Sequence, residues 1–252
     1  SSTSRGLGDV YKRQGVDGLR QVAQNGGGPT VIRLSDEAET AVSLAQVGRI
    51  GKALAKGASI VTVYEGDGIA ERRARASEIL TAAGGVSSGA GGAEGWLDGR
   101  FDGPYLRDSL LDAGVFCETL ETATTWSNLH HLRAEITAAL RGGFAAAGAK
   151  SYVMCHVSHV YPTGASLYFT VLANLRSDPL EAWAEIKRRV NDSIIAAGGT
   201  ISHHHAVGRD HAPWLEKEIG ETGVRILAAI KRELDPTWIL NPGAVIMSDR
   251  SA

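Results

Sequence analysis

The sequence predicts an α+β fold of the ferredoxin-like class: an antiparallel sheet with helices on one face. Three observations point there. The elements run strand, helix, strand, then strand, helix, strand, strand, helix. Apolar strand-like runs flank Pro162-Thr163-Gly164-Ala165, which is the pattern of a hairpin. No G-x-G-x-x-G follows a strand, so a dinucleotide-binding parallel sheet is set aside.

Each element has a local reason. Val16, Leu19, Val22 and Ala23 recur at helical spacing over 16–25, and Gly26-Gly27-Gly28-Pro29 stops that helix. Thr30–Leu34 alternates like a strand, and Ser35-Asp36 starts a helix through about Ile50. Ala58–Tyr64 reads as a buried strand, and Asp67 reads as the cap of a helix to about Ala83. Residues 84–95 are nearly free of side chains. They lack the Gly-Lys-Ser/Thr of a phosphate loop. Tyr105–Ala113 reads as a short helix or an irregular segment, and Gly114–Glu121 as a strand. From 125 to 147, Trp126, Leu129, Leu132, Ile136, Leu140 and Phe144 share one helix face. Tyr152–Tyr161 and Ser166–Ala173 are the hairpin strands. Pro179–Ala197 is amphipathic through Leu180, Trp183, Ile186, Val190 and Ile194. Trp214–Leu234 is another helix, ended by Asp235-Pro236.

Bulk properties limit the functions on offer. A chain of 252 residues suffices for one large domain or two small ones, and 43% hydrophobic with 21% charged residues is ordinary for a soluble protein. A net charge of −2 offers no attraction to nucleic acid. Cys117 and Cys155 are too few for a disulfide framework, form no zinc spacing and read as reduced packing residues. No apolar run approaches the ~20 residues of a membrane span, so the expected location is the cytoplasm. Residues 1–14 have no useful periodicity and read as a non-native, adaptor-derived segment. Residues 15–200 are expected to form a substrate or cap domain. Residues 201–252 are expected to be a C-terminal segment that returns to a partner domain.

The chemistry-bearing residues concentrate late in the chain. Ser202-His203-His204-His205-Ala206-Val207-Gly208-Arg209-Asp210-His211 lies on a connection between helices, where functional groups are usually found. Successive side chains diverge, so two of the three adjacent imidazoles at most should share a pocket without unusual geometry. The spacing suits a proton-transfer or hydrogen-bonding role better than zinc, and no metal is expected. His156 and His159, three apart on one strand, should face opposite ways. Tyr168 sits in an apolar strand and needs a partner for its hydroxyl. Arg107 alone reads as a surface ion pair with Asp108, and Asn241-Pro242-Gly243 as a turn.

Taken together, SHHHAVGRDHAPWLEKEIG at 202–220, ASLYFT at 165–170, PYLRD at 104–108, ETLETATTW at 118–126 and DPTWILNPG at 235–243 resemble alkyldihydroxyacetonephosphate synthase, an FAD-dependent family of the vanillyl-alcohol oxidase superfamily. The likeness runs in order from about residue 16 to 246. The resemblance implies FAD as cofactor. It implies exchange of the acyl group of acyl-dihydroxyacetone phosphate for a fatty alcohol. It also implies a flavin-binding half upstream of residue 16. Tyr168 would then be the general acid/base, with His203, His204 and His205 around it. Arg107 and His204 would bind substrate, and Asn241 and His205 would meet the cofactor. Peripheral membrane association and a homodimer are the partner states it leaves open. Two alternatives accompany this reading: an FAD-linked D-2-hydroxy-acid dehydrogenase on the same scaffold, and a non-catalytic or zinc-binding module.

Overall fold

The computed structural model describes residues 7–26, 28–46, 57–175 and 178–246. Among these, eight helices and five strands follow in order: α1 (Leu7–Gln24), β1 (Val31–Ser35), α2 (Glu37–Gln46), β2 (Ser59–Val63), α3 (Ile69–Ala82), α4 (Gly91–Gly99), α5 (Gly103–Asp112), β3 (Phe116–Thr125), α6 (Leu129–Ala146), β4 (Ser151–Ser158), β5 (Gly164–Ala173), α7 (Pro179–Ala196) and α8 (Gly208–Leu234). The strands form one sheet in the order β2-β1-β4-β5-β3, antiparallel throughout. The fold is the expected α+β class.

Alternation along the strands divides the sheet into two faces. Ala165, Leu167, Phe169, Val171 and Ala173 of β5, Val153, Cys155 and Val157 of β4, and Leu120 of β3 all point into one core. That core is closed by Leu129, Leu132, Ile136, Leu140 and Phe144 of α6 and by Ile186, Val190 and Ile194 of α7. Each such side chain contributes about 1.5–3 kcal/mol when fully buried. Trp126 completes the α6 face, and its indole N–H donates to the Tyr161 carbonyl at 3.0 Å. Gly164 opens β5 where only hydrogen fits, because a Cβ there would lie 2.1 Å from the Thr124 carbonyl oxygen.

The structure departs from the sequence expectations in several places. Asp67 does not cap α3. The N-cap is Gly68, in a left-handed conformation and without a side-chain cap. The Gly-rich 84–95 stretch runs into α4 at Gly91. That helix buries none of its residues, so no apolar periodicity announces it. α1 begins at Leu7, upstream of the predicted start at 16. α8 begins at Gly208 rather than Trp214, tolerates Pro213 near its start, and breaks at Gly220, where the backbone leaves helical geometry. The predicted ends at Ile50 and beyond 246, and residues 1–6, lie outside the described residues. No helix among the described residues is long and apolar enough to cross a membrane.

Candidate functional site

The face away from α6 and α7 carries the polar chemistry. Register aligns one residue from every strand across it: Ser59, Ser35, His156, Tyr168 and Glu121. Cross-strand partners on one face are close neighbours. The His156 and Tyr168 rings stack at 4.7 Å with 12° between planes, and His205, which lies 3.8 Å from Glu121 on the strand across β5 from His156, meets Tyr168 edge-on at 5.2 Å. Tyr168 is therefore held between two imidazoles.

Glu121 is the hub of the opposite half of the row. Its side chain is 2% exposed, and its Oε1 lies 3.2 Å from both His203 Nδ1 and His159 Nδ1. His205 Nε2 lies 3.8 Å from the other oxygen. The His203 and His204 rings stack at 4.3 Å, His204 meets His159 edge-on at 4.1 Å, and His203 Nε2 lies 3.2 Å from the Tyr161 hydroxyl. Burial is the leading influence on His159 and pulls its pKa down, against the pull of Glu121. Hydrogen bonds from the imidazoles satisfy the buried carboxylate. The same donor set, Glu121, His159, His203 and His204, offers one ligand atom each within 4.8 Å, so its chemistry would also suit a divalent metal.

Two backbone features assemble this cluster. The triplet was expected to place two rings at most in one pocket unless its geometry was unusual, and it is. All three reach the Glu121 neighbourhood because His204 and Ala206 adopt φ of 49° and 63°, and these left-handed turns reverse the usual divergence. His156 and His159 were expected on opposite faces. They share one, because His159 follows the end of β4 with φ 42° and no longer obeys strand alternation. The segment before the triplet docks along the free edge of β3. Thr122 Oγ1 donates to the Thr200 carbonyl at 2.6 Å, and the Thr200 and His203 N–H groups donate to the Ala123 and Glu121 carbonyls.

Behind His156 lies a second buried carboxylate, Glu39 of α2. It accepts from Arg33 Nη2 at 2.7 Å and pairs with His156 Nδ1 at 2.9 Å. Burial would raise its pKa, but the hydrogen bond and charge of His156 and the charge of Arg33 outweigh that and bring it down to about 2. Burial is the leading influence on His156 and lowers its pKa, although Glu39 opposes the change. Asp36, at the start of α2, accepts from the Glu39 and Cys155 N–H groups and from Arg133, which fixes α2 against β4. This confirms Ser35-Asp36 as a helix start.

The other predicted residues are placed as follows. Arg107 is on α5, paired with Glu118 at 2.8 Å and near Asp108 at 3.9 Å. Glu118 alternates with Glu121 along β3, so this pair stands apart from the histidine cluster. Asn241 sits in a left-handed turn whose Pro242 carbonyl accepts from Arg209, while the Val245 N–H donates to the Gly208 carbonyl. That turn therefore docks beside the end of the triplet. The His211 ring nitrogen Nδ1 donates to the Ala206 and Val207 carbonyls, a structural role. Cys117 and Cys155 are free and buried, and burial pushes the Cys155 thiol up to about 12. Sequence reasoning missed Glu39 and Glu121. For Glu121 the available signal was a carboxylate inside an apolar strand, at the parity of the polar face, whereas Glu39, on helix α2, offered none.

The pattern of FAD linked oxidases, C-terminal domain, matches residues 12–245. The chain belongs to this family. FAD is the cofactor that the family is linked to. Alkyldihydroxyacetonephosphate synthase of Dictyostelium discoideum is 32% identical over 161 residues, covering 63% of this chain and 26% of that protein. The uncharacterized FAD-linked oxidoreductase YgcU of Escherichia coli is 25% identical over 246 residues, 92% of this chain and 49% of that protein. A solved alkyldihydroxyacetonephosphate synthase superposes with TM-score 0.66 at 23% identity, over 92% of this chain and 42% of that one, which shows a common fold. The chain thus spans about a quarter to a half of the length of these proteins.

Proposed function

We propose that this chain is the substrate-side domain of an FAD-dependent, alkyldihydroxyacetonephosphate synthase-like enzyme. It would exchange the acyl group of acyl-dihydroxyacetone phosphate for a fatty alcohol. The observation that carries the reading is Tyr168 held between His156 and His205, with the rest of the triplet gathered on Glu121. A hydroxyl flanked by imidazoles suits proton transfer to and from oxygen. The relative at 32% identity supports the same reaction.

The residues present fit the cofactor. The open face offers flat imidazole and phenol surfaces, and Ser202 Oγ is buried without a partner among the described residues. His205 and Asn241 would meet the flavin from the triplet and from the C-terminal turn. When bound, FAD supplies an electron-poor ring that can accept electron density from the reacting carbon. Tyr168 would move the proton, and His203 and His204 would orient it and the substrate. Arg107, held by Glu118 apart from the histidine cluster, would meet substrate only if the substrate extends beyond that cluster.

A second reading has its own support: the relative matching 92% of this chain is described as an oxidoreductase. There the same imidazoles would take a hydroxyl proton from a D-2-hydroxy acid. The two separate in one experiment on the complete FAD-loaded protein. Transfer of a labelled fatty alcohol into an ether product, without an electron acceptor, supports the synthase, and Tyr168→Phe should abolish it while flavin stays bound. Bleaching of the flavin by 2-hydroxy acids with no exchange would replace the synthase by the dehydrogenase.

A further inference from the structure

The exchange proposed above releases a proton as well as a carboxylate. An alcohol O–H enters, and a fatty acid leaves as its anion near neutral pH. Some group must hold that proton as the new C–O bond forms. The Tyr168 hydroxyl can donate to the departing carboxylate, but a phenol is a weaker proton acceptor than a neutral imidazole.

His156 has the attributes of an acceptor. Its ring is 7% exposed and fixed on two sides, by the hydrogen bond to Glu39 and by stacking on Tyr168. Glu39 remains ionised and accepts only, so Nδ1 must carry the hydrogen. The lone pair is then on Nε2. Among the described residues, Nε2 has no hydrogen-bond partner. Nε2 is not one of the buried atoms left unpaired, so it reaches the surface of the polar face, where a hydroxyl-bearing ligand can donate to it. The groups facing this ring are Glu39 from α2, Arg33 and Ser35 from β1, Tyr168 from β5 and Glu121 from β3. The carboxylate behind the imidazole selects its tautomer, as in other carboxylate–histidine pairs.

We propose that His156 is the general base that deprotonates the incoming alcohol, and that Glu39, anchored by Arg33, is the positioning residue that holds it in the Nδ1–H tautomer. This deepens, and rests on, the synthase reading. In the overall exchange the alcohol O–H bond breaks and its proton moves to His156 Nε2. The alcohol oxygen bonds to the carbon that the carboxylate vacates, the carboxylate leaves with its electron pair, and the imidazolium returns its proton to solvent. One ester C–O bond is lost, one ether C–O bond is made and one proton is released.

Two measurements test it on the complete FAD-loaded protein. Nitrogen-15 NMR of labelled histidine at neutral pH should show His156 protonated at Nδ1 and bare at Nε2, with Glu39→Ala mixing the tautomers. An Nε2–H ring in the parent protein overturns the proposal. In alcohol exchange, His156→Phe keeps the stack on Tyr168 but removes both nitrogens, and should lower kcat by on the order of 10²–10⁴-fold. His156→Gln restores a hydrogen-bonding group without a base. It should leave KM near the parent value and kcat low. Exchange by His156→Phe within threefold of the parent overturns the role of His156 and leaves the synthase reading standing. A parent protein that makes no ether product overturns the synthase reading, and the alcohol as proton source with it.

Discussion

Replacing Glu39 by glutamine tests the electrostatics of the site through stability alone. The carboxyl is buried between Arg33 and His156, and its pKa falls from 4.5 to about 2. At about 1.4 kcal/mol per pH unit, that difference contributes about 3 kcal/mol to folding. The sign follows from the depressed value. The contribution is complete above pH 4.5 and is lost as pH falls through 2. His156 adds to acid sensitivity from a higher pH. Burial lowers its pKa below 6.5, so in acid the unfolded chain takes up a proton that the folded ring resists. Glu39→Gln keeps the shape and removes the charge. Urea-unfolding midpoints of parent and variant, converted to free energies, should differ by about 3 kcal/mol at pH 7. The gap should shrink to about 1 kcal/mol by pH 3, because the parent has then lost about two thirds of the contribution. A gap of constant size from pH 7 to pH 3 would refute the reasoning, because it would mean that packing, not charge, holds Glu39 in place.

Three other substitutions probe the frame and its edge. Phe169→Ala empties a fully buried position in β5 and should cost about 3–5 kcal/mol in a denaturant titration; a loss below 1 kcal/mol would mean that the core collapses around the gap. Gly164→Ala forces a Cβ onto the Thr124 carbonyl, and about 1–3 kcal/mol should be lost, read as a lower thermal midpoint. Arg107→Ala removes an ion pair whose arginine side chain is 42% exposed, so stability should change by less than about 1 kcal/mol. If activity in the complete enzyme nevertheless collapses and Arg107→Lys fails to restore it, the guanidinium contacts substrate; unchanged activity would confine it to the surface pair.

The elements that were legible share one property: they advertise a repeating apolar face. Leu129, Leu132, Ile136, Leu140 and Phe144 on α6 and the alternating run of β5 could be read directly, because each pattern is imposed by local geometry and core burial. α4 was illegible because it buries nothing. The cap of α3 was misplaced because Gly68 uses backbone freedom, whereas Asp67 supplied only a side-chain cue. The site divides in the same way. Tyr168 and the triplet stood out by residue type and resemblance, whereas Glu39 and Glu121 look like ordinary acids until their partners are known.

The sequence by itself determined the class of fold, the family and the chemical types available: imidazoles, a phenol and acids near the ends of strands. These follow from short-range periodicity and from local motifs. Only the tertiary structure decided which of them meet. Strand register put His156, Tyr168 and Glu121 in one row, although they come from three separate strands. Left-handed turns at His159, His204 and Ala206 then brought the remaining rings to the same face, against the alternation that local spacing predicts. Both depend on long-range pairing and on a few backbone angles. Packing of the whole sheet sets those, so no window of neighbouring residues could reveal them.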